Sequence, residues 1–260
     1  MANAIAEGKK RMLEITEENG VALVMMRHGK VNAMSLEFID ALSGMFAEFA
    51  GKQDVRQVVL LGNDRVFSAG VDLKRLISEG ADYLEVFLPK LSSLFLDAFN
   101  FPKPLIVGVT GAAVAGGCVL ACAGDYRLIG EQAFIGVPEL RVGVPFPSAG
   151  MEIMRWAARG PAFKAMISTG ATYRGQQAVD AGLANRVVPS QNIVVETKKA
   201  IETFSVVPPK IFALTKQQMR LPVIESIRKS QELLGSKIDQ LWHAAETRET
   251  IARYVAERLG

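Results

Sequence analysis

The first elements that the hydrophobic pattern predicts are strands. Two apolar runs, Met12–Thr16 and Val21–Arg27, flank Asn19-Gly20, and Asn-Gly between such runs is a strong signal for a β-hairpin. Gln57–Leu61 is a short continuous apolar run, as expected for a strand that is buried on both faces. Further short strands are predicted at Leu105–Val109, Tyr126–Ile129, Ala133–Ile135 and Asn185–Val188.

Helical spacing alternates with these strands. Apolar residues recur at helical intervals over Ile39–Phe49, which predicts a helix that Ser35 caps and Gly51 ends. A second helix is predicted over Gly80–Asn100, with a kink or break at Pro89 because proline removes a backbone donor.

The second half of the chain has a different hydrophobic pattern. From about Ser148 onward helical periodicity dominates, punctuated by prolines such as Pro222. The amphipathic stretch Ser236–Leu259 predicts a terminal helix that covers either its own core or a neighbouring subunit. We therefore predict an α/β core over residues 1–190 and a C-terminal helical region over residues 191–260.

Composition and charge exclude several classes of protein. The 260 residues are 49% hydrophobic and 22% charged, which is typical of a globular chain. The net charge of +3 and the 7% aromatic content offer little for nucleic-acid binding. Two cysteines and two histidines are too few for a disulfide framework or a histidine-rich metal site.

One uncharged segment, between Lys103 and Asp125, is long enough to cross a membrane. Its proline and five glycines interrupt any continuous helix, so a buried strand at Leu105–Val109 and a short buried helix at Gly117–Ala123 explain it better.

Two further features concern the compartment. The first twelve residues lack the apolar stretch of a secretory signal. Cys118 and Cys122, four residues apart, are expected to be buried free thiols in a reducing compartment. We therefore expect a cytoplasmic location.

Several catalytic motifs are missing. The chain has neither the phosphate loop of nucleotide hydrolases nor a glycine-rich dinucleotide motif after a strand. Ser68 lies in VFSAG, which lacks the first glycine of a serine nucleophile elbow. His28 and His243 have no evident partners and are expected to be polar surface residues.

Two glycine-bearing turns and one carboxylate remain as candidate chemistry. The turns, Phe67–Leu73 and Gly111–Cys118, each follow an apolar strand. Such turns allow a close backbone approach to a ligand, and two amides aimed at one point would form an oxyanion hole, although glycines also serve tight packing alone. Glu139 lies among apolar residues, where burial would raise its pKa toward the range of a proton shuttle; a solvated loop glutamate is the alternative.

These segments together resemble a known family. The chain contains FSAGVDL, FPKPLIVGVTGAAVAGGC, GDYRLIG and FIGVPELRVGVPFP, between VNAMS and ATYRGQQAVDAGLANRVVP, and so resembles the enoyl-CoA hydratase/isomerase (crotonase) superfamily over essentially its whole length. The resemblance implies an α/β spiral core of repeated β-β-α units and C-terminal helices that build a trimer or a dimer of trimers. It also implies binding of acyl-CoA thioesters, as in fatty-acid breakdown by β-oxidation.

The resemblance implies roles for individual residues. The amides of Val71 and Gly117 would polarise the thioester carbonyl, and Glu139 would act as acid and base. No metal is implied, and coenzyme A enters only as part of the substrate, with Lys74, Arg75 and Lys30 as possible phosphate partners. The coenzyme A site implied comprises Ala33, Ala69, Gly70, Asp72, Leu73 and Lys74.

One position departs from the hydratase pattern. Family hydratases carry a glutamate directly after Gly-Gly-Cys, where this chain has Val119, so Glu139 alone remains of the usual pair. One base suffices to move a double bond from C3 to C2, and the motifs look closest to the Δ3,Δ2-enoyl-CoA isomerases. A hydratase or another crotonase-type thioester reaction stays open, as does a catalytically silent scaffold that binds RNA or a partner.

Overall fold

The computed structural model describes residues 12–258. Two predictions fall partly outside these residues: the first part of the core, where no secretory signal is expected, and Leu259 of the terminal helix. The hairpin is confirmed: β1 (Leu13–Glu18) pairs antiparallel with β2 (Val21–Met26). The turn residues Asn19 and Gly20 have φ of 53° and 82°, as a two-residue hairpin turn requires.

The first long helix, α1 (Leu36–Gly51), begins and ends as the sequence predicts. The Ser35 hydroxyl accepts a hydrogen bond from the Phe38 amide, and Gly51 is the last helical residue. The buried side chains of α1, which include Phe46 and Phe49, repeat at the predicted spacing. Burial of this face attaches the helix to the core.

The next part of the chain repeats one pattern three times: a strand in a large sheet, a strand in a small sheet, and then helix. The first turn is β3 (Gln57–Leu61), β4 (Val66–Ser68), α2 (Leu73–Glu79) and α3 (Ala81–Phe99). The second is β5 (Leu105–Val109), β6 (Ala112–Val114) and α4 (Gly116–Cys122). The third is β7 (Tyr126–Gly130), β8 (Phe134–Gly136) and α5 (Glu139–Val142).

The remaining chain is mainly helical. It contains α6 (Ser148–Ala157), α7 (Gly160–Thr169), β9 (Thr172–Arg174), α8 (Gly175–Asp180), β10 (Arg186–Val188), a 3₁₀ turn (Ser190–Asn192), α9 (Ile193–Ser205), α10 (Pro209–His243) and α11 (Ala245–Arg258). The strand order is β1-β2-β3-β5-β7-β10 in the large sheet and β4-β6-β8-β9 in the small one. Successive turns of the repeat pair in parallel, so the chain winds as the predicted crotonase spiral. The predicted domain boundary falls in the 3₁₀ turn and stays a prediction.

The structure refines the predicted helices and strands at three points. Helix α3 has no break at Pro89, and the kink predicted as the alternative stays a prediction. The predicted terminal helix is two helices, because Ala244 is extended, with ψ of 140°, between α10 and α11. Strand β9, which the sequence did not predict, lies beyond Ser148 and pairs antiparallel with β8.

Helix α10 is joined to the spiral core by a buried charge cluster. Lys216 donates to one oxygen of Asp125 at 2.6 Å and Arg220 to the other at 2.7 Å. Desolvation lowers the pKa of Lys216 to about 8. Losing Asp125 would leave two buried cations without a counter-charge, which is strongly destabilising. The cluster therefore fixes the position of α10.

The uncharged segment folds as predicted. Leu105–Val109 is a fully buried strand, and the short helix α4 that follows is buried along its length. Cys118 and Cys122 are buried free thiols, as expected. Within residues 12–258 no helix combines the length and apolarity that a bilayer crossing requires.

Candidate active site

One cavity of about 490 Å³ lies at an edge of the small sheet. Strands β4, β6 and β8 are parallel neighbours, so the loops that follow them leave the sheet at the same edge. Those loops contribute Val71, Gly116 and Glu139 to the cavity wall. The fold thereby brings together the two glycine turns and the carboxylate that the sequence analysis singled out.

The turn after β4 is held by backbone hydrogen bonds on both sides of Val71. The Met34 amide donates to the Gly70 carbonyl at 2.7 Å, and the Asp72 amide donates to the Met34 carbonyl at 3.1 Å. The Val71 amide between them donates to no group in the described part of the chain. The turn therefore presents one rigidly held amide beside the cavity.

The start of α4 is packed directly against that turn. A Cβ at Gly117 would stand 2.5 Å from the Ser68 carbonyl oxygen, and one at Gly70 would stand 2.7 Å from the Cβ of Ala115. Only glycine permits such an approach. Over residues 12–258 the Gly117 amide likewise has no hydrogen-bond acceptor, as is usual in the first turn of a helix. Gly70 and Gly117 are buried and are not themselves lining residues, but Ala115 and Gly116, which directly precede the Gly117 amide, line the cavity.

Glu139 is the buried acid of the cavity. It opens the single-turn helix α5, is only 8% exposed, and its Oε2 accepts no hydrogen bond from a described residue. This burial raises the pKa of the Glu139 carboxyl from 4.5 to about 8, because an apolar surrounding disfavours the charged form. The alternative of a solvated loop glutamate is thus wrong.

Val119 lines the same cavity as Glu139 and is buried. The other acidic side chain in the described lining is Asp72. Its carboxylate accepts a hydrogen bond from the Arg75 amide at 3.1 Å and so caps α2. Glu139 is consequently the buried carboxylate of the described lining, and the apolar Val119 stands in the same wall.

Most residues of the predicted coenzyme A site lie together. The cavity lining includes Ala33, Ala69, Asp72, Leu73 and Lys74. Lys74 is exposed, and its side chain forms no ion pair with residues 12–258. Lys74 is therefore available to an anionic ligand at the cavity.

The other two predicted phosphate partners are placed differently. Arg75 is bound by the carboxylates of Glu37 and Glu79, and its hydrogen bond lowers the pKa of Glu37 to about 2. Lys30 lies outside the lining of the cavity. Arg75 thus already has two carboxylate partners, which weakens its assignment as a phosphate ligand.

The two histidines are partly exposed and are not lining residues of the cavity. His28 stacks on Phe38 with ring centroids 4.8 Å apart, and His243 contacts the Asp239 carbonyl in its own helix at 2.8 Å.

Sequence reasoning missed several lining residues that come from distant segments. Phe95 on α3, Gly150 on α6 and Trp242 on α10 line the cavity, as does Tyr254 on α11. The amphipathic terminal pattern carried part of this signal, since it included Tyr254 and predicted a covered face. The structure shows that this face packs on the core of its own chain, where Ile251 is fully buried.

Comparison with known proteins identifies the family of this chain. The family model described as enoyl-CoA hydratase/isomerase matches residues 16–259. A Rhizobium meliloti protein named "Probable enoyl-CoA hydratase" is 30% identical over 253 residues, which cover 95% of each chain. The chain belongs to the enoyl-CoA hydratase/isomerase family of enzymes, as the motifs predicted.

Solved structures extend the comparison. A Mycobacterium tuberculosis protein, which is called an enoyl-CoA isomerase in one solved structure and a probable enoyl-CoA hydratase in another, is 28% identical to this chain. Its apo form superposes with a TM-score of 0.79, covering 87% of this chain and 99% of that one. Human mitochondrial Δ3,Δ2-enoyl-CoA isomerase is 22% identical with a TM-score of 0.89, covering 95% and 98% of the two chains. The human enzyme shares the fold.

Proposed function

We propose that this enzyme is an enoyl-CoA isomerase that moves a C3=C4 double bond to C2=C3. The observation that carries the proposal is the pairing of a buried Glu139 with Val119 in one cavity. Hydration needs activation of water at C3 and delivery of a proton at C2, a task suited to two carboxylates. A double-bond shift needs one group that removes and returns a proton.

The proposed reaction has two proton transfers and one intermediate. The Glu139 carboxylate removes a proton from C2, and the C2–H electrons form a C1=C2 bond while the carbonyl electrons move to the thioester oxygen. The amides of Val71 and Gly117 stabilise this enolate oxygen by hydrogen bonding. In the second step the C1=O bond re-forms, and the electrons of the C1=C2 bond form the new C2=C3 bond. The electrons of the C3=C4 bond then bind, at C4, the proton that Glu139 returns.

The electrostatics of the cavity support this cycle. An apolar surrounding raises the pKa of Glu139 to about 8, which brings the carboxyl nearer to a carbon acid in proton affinity than an exposed glutamate would be. The same group can therefore accept the proton and give it back. Both amides of the proposed oxyanion hole lack acceptors among the described residues, so an enolate oxygen would displace no protein contact.

Hydration of a 2-enoyl-CoA is the second candidate function. It is favoured by the name of the Rhizobium relative, which is 30% identical to this chain. The valine at position 119 weighs against it, because an apolar side chain neither holds nor activates a water molecule.

Turnover assays separate the two reactions. Purified protein is incubated with a 3-enoyl-CoA and, separately, with a 2-enoyl-CoA, and the products are resolved by chromatography. Isomerisation of the first with weak or no hydration of the second supports the proposal. Strong hydration, or inertness toward both with turnover of another thioester, would overturn it.

The coenzyme A moiety is proposed to lie at the outer part of the cavity. Val31, at 45% exposure, and Lys74 are exposed members of the lining, whereas Phe95 and Trp242 are buried. The Lys74 ammonium would contact a phosphate, and the acyl chain would extend inward.

Self-association as a trimer or a dimer of trimers is also proposed. Helix α10 and the segment before it carry large apolar side chains that are strongly exposed in the single chain, among them Val206, Ile211, Met219 and Leu233. Exposed apolar surface of this extent is typical of subunit contacts. Light scattering at micromolar concentration tests this, and a monomer would contradict it. A cytoplasmic location and a role in β-oxidation stay predictions of the resemblance.

A further inference from the structure

Gly150 is a buried glycine inside a helix. Neither the backbone conformation there nor contact with neighbouring atoms requires a glycine. It is the third residue of α6, and its φ is not in the left-handed region. A glycine at such a position destabilises a helix relative to alanine. A reason other than backbone conformation is therefore needed for its presence.

The space beside Gly150 would just accommodate a Cβ. A Cβ there would lie 3.7 Å from Val119 Cγ2, 3.8 Å from Pro147 Cδ and 3.9 Å from Phe95 Cε2, all ordinary contact distances. Gly117 differs, because there a Cβ would collide with backbone. Alanine at position 150 would thus fit without moving any neighbour.

The space that a Cβ at Gly150 would fill is part of the cavity. Gly150 and the three residues that its missing side chain would touch all line the cavity. Val119 connects this region to the proposed reaction centre, and Phe95, like Leu91 from the same helix, is almost fully buried and apolar. The wall there offers no charge to a ligand and is suited to a hydrocarbon chain.

We propose that Gly150 is a specificity-determining residue, whose absent side chain leaves room for the distal carbons of a long, unbranched acyl chain. The inference rests on the proposed function in that the acyl part of a thioester occupies this cavity. It goes further by assigning the substrate class: enoyl thioesters whose chain extends well beyond the reacting carbons.

The experiment replaces Gly150 with residues of increasing size and compares two chain lengths. The values of kcat/KM for 3-dodecenoyl-CoA and 3-hexenoyl-CoA are measured for the unaltered enzyme, Gly150→Ala and Gly150→Leu. We expect the dodecenoyl-to-hexenoyl ratio to fall about tenfold or more in Gly150→Ala and further in Gly150→Leu, as a methylene-sized change in an apolar pocket does. Gly160→Ala is the matched control, because nothing lies within 4 Å of a Cβ there, and it should leave the ratio unchanged.

Binding measurements separate this inference from the proposed reaction. Calorimetry with dodecanoyl-CoA and hexanoyl-CoA needs no turnover, so a selective loss of dodecanoyl-CoA binding in Gly150→Leu supports the inference even if the enzyme isomerises nothing. Equal effects on both chain lengths, or no effect on either, would overturn it. Failure of the unaltered protein to bind either thioester would overturn both proposals. Thermal melting checks the fold, and Gly150→Ala should melt at or above the temperature of the unaltered protein.

Discussion

The carbonyl oxygen of Ser68 occupies the space in which a side chain at Gly117 would begin. The turn that carries Val71 and the helix start that carries Gly117 are therefore in direct backbone contact. No flexible side chain separates them, so the two amides keep a constant spacing. A site that stabilises a developing negative charge depends on such fixed donors.

A methyl group at position 117 should disrupt this arrangement. In Gly117→Ala the new Cβ would meet the Ser68 carbonyl, so the two turns must separate and the Gly117 amide must move. We expect kcat to fall by about 10²–10³-fold, as for loss of one oxyanion donor, and the melting temperature to fall as well. The control is Gly51→Ala, where a Cβ has open space. An active and stable Gly117→Ala enzyme would show that the close contact has no role.

Removal of the proposed base should abolish most turnover. Glu139→Gln keeps the shape of the side chain but cannot accept a proton. Isomerase turnover should fall by about 10²–10⁴-fold, while calorimetry should give nearly the same affinity for coenzyme A. Glu152→Gln, outside the cavity lining, is the matched control and should be fully active. Full isomerase activity in Glu139→Gln would place the base on another residue.

The pH dependence should report the buried carboxyl. Because burial raises the pKa of Glu139 to about 8, the free enzyme holds this proton at neutral pH and loses it as the pH rises. The active carboxylate thus increases about tenfold per pH unit below 8, and kcat/KM should rise with it and level off above. A pH profile already level above pH 4.5, the ordinary value for this group, would show that the base is not desolvated.

A carboxylate at position 119 tests the argument that a single carboxylate in the cavity favours isomerisation over hydration. Val119→Glu should introduce weak hydration of a 2-enoyl-CoA, because a second carboxylate beside the substrate helps to hold a water molecule. Burial of a charge costs several kcal/mol, so the melting temperature should fall. Val119→Gln, of the same size but uncharged, should not hydrate. Strong hydration by the unaltered enzyme would refute the role given to Val119.

Lys74 should contribute charge to coenzyme A binding. Since the lysine is exposed, its contact with a phosphate is worth little at high ionic strength. We expect Lys74→Ala to weaken coenzyme A binding about two- to fivefold at low salt, with the difference shrinking as salt is added. Lys164→Ala, an exposed lysine of α7 outside the cavity lining, is the control. Identical calorimetric affinities for both variants at low salt would remove Lys74 from the site.

Strong local signals explain which elements could be predicted. Gln57–Leu61 is uniformly apolar, and the strand has those bounds. Strands β4 and β6 have only three residues each, so their pairing partners rather than their composition make them strands. The prolines within α3 and α10 are a different case. Pro89 and Pro222 are exposed, so water can bind the carbonyls that each proline leaves unpaired.

In the candidate site, too, the sequence predicts some features and only the fold shows the others. The sequence motifs predict that Val71, Gly117 and Glu139 belong to one site. Val71 and Glu139 line one cavity, whereas Gly117 only adjoins it through Gly116, and the roles of all three stay predictions. The burial of Glu139 could not be derived from its neighbours in sequence, because the cavity around it is completed by Phe95 and Trp242 from segments far away along the chain. Gly150 gave no motif signal, since the absence of a side chain matters only where other elements surround it.

The charge cluster at Asp125 has a mechanical consequence for the cavity. Helix α10 is one continuous rod of 35 residues, clamped near one end through Lys216 and Arg220. Trp242, near the other end, is about 40 Å farther along the axis and forms part of the cavity wall. Between these two points α10 also packs against α6, where the Ser230 hydroxyl donates to that of Ser148 at 3.2 Å. The cavity wall at Trp242 therefore depends on the docking of the whole helix, and a substitution that loosens α10 far from the substrate would still alter the site.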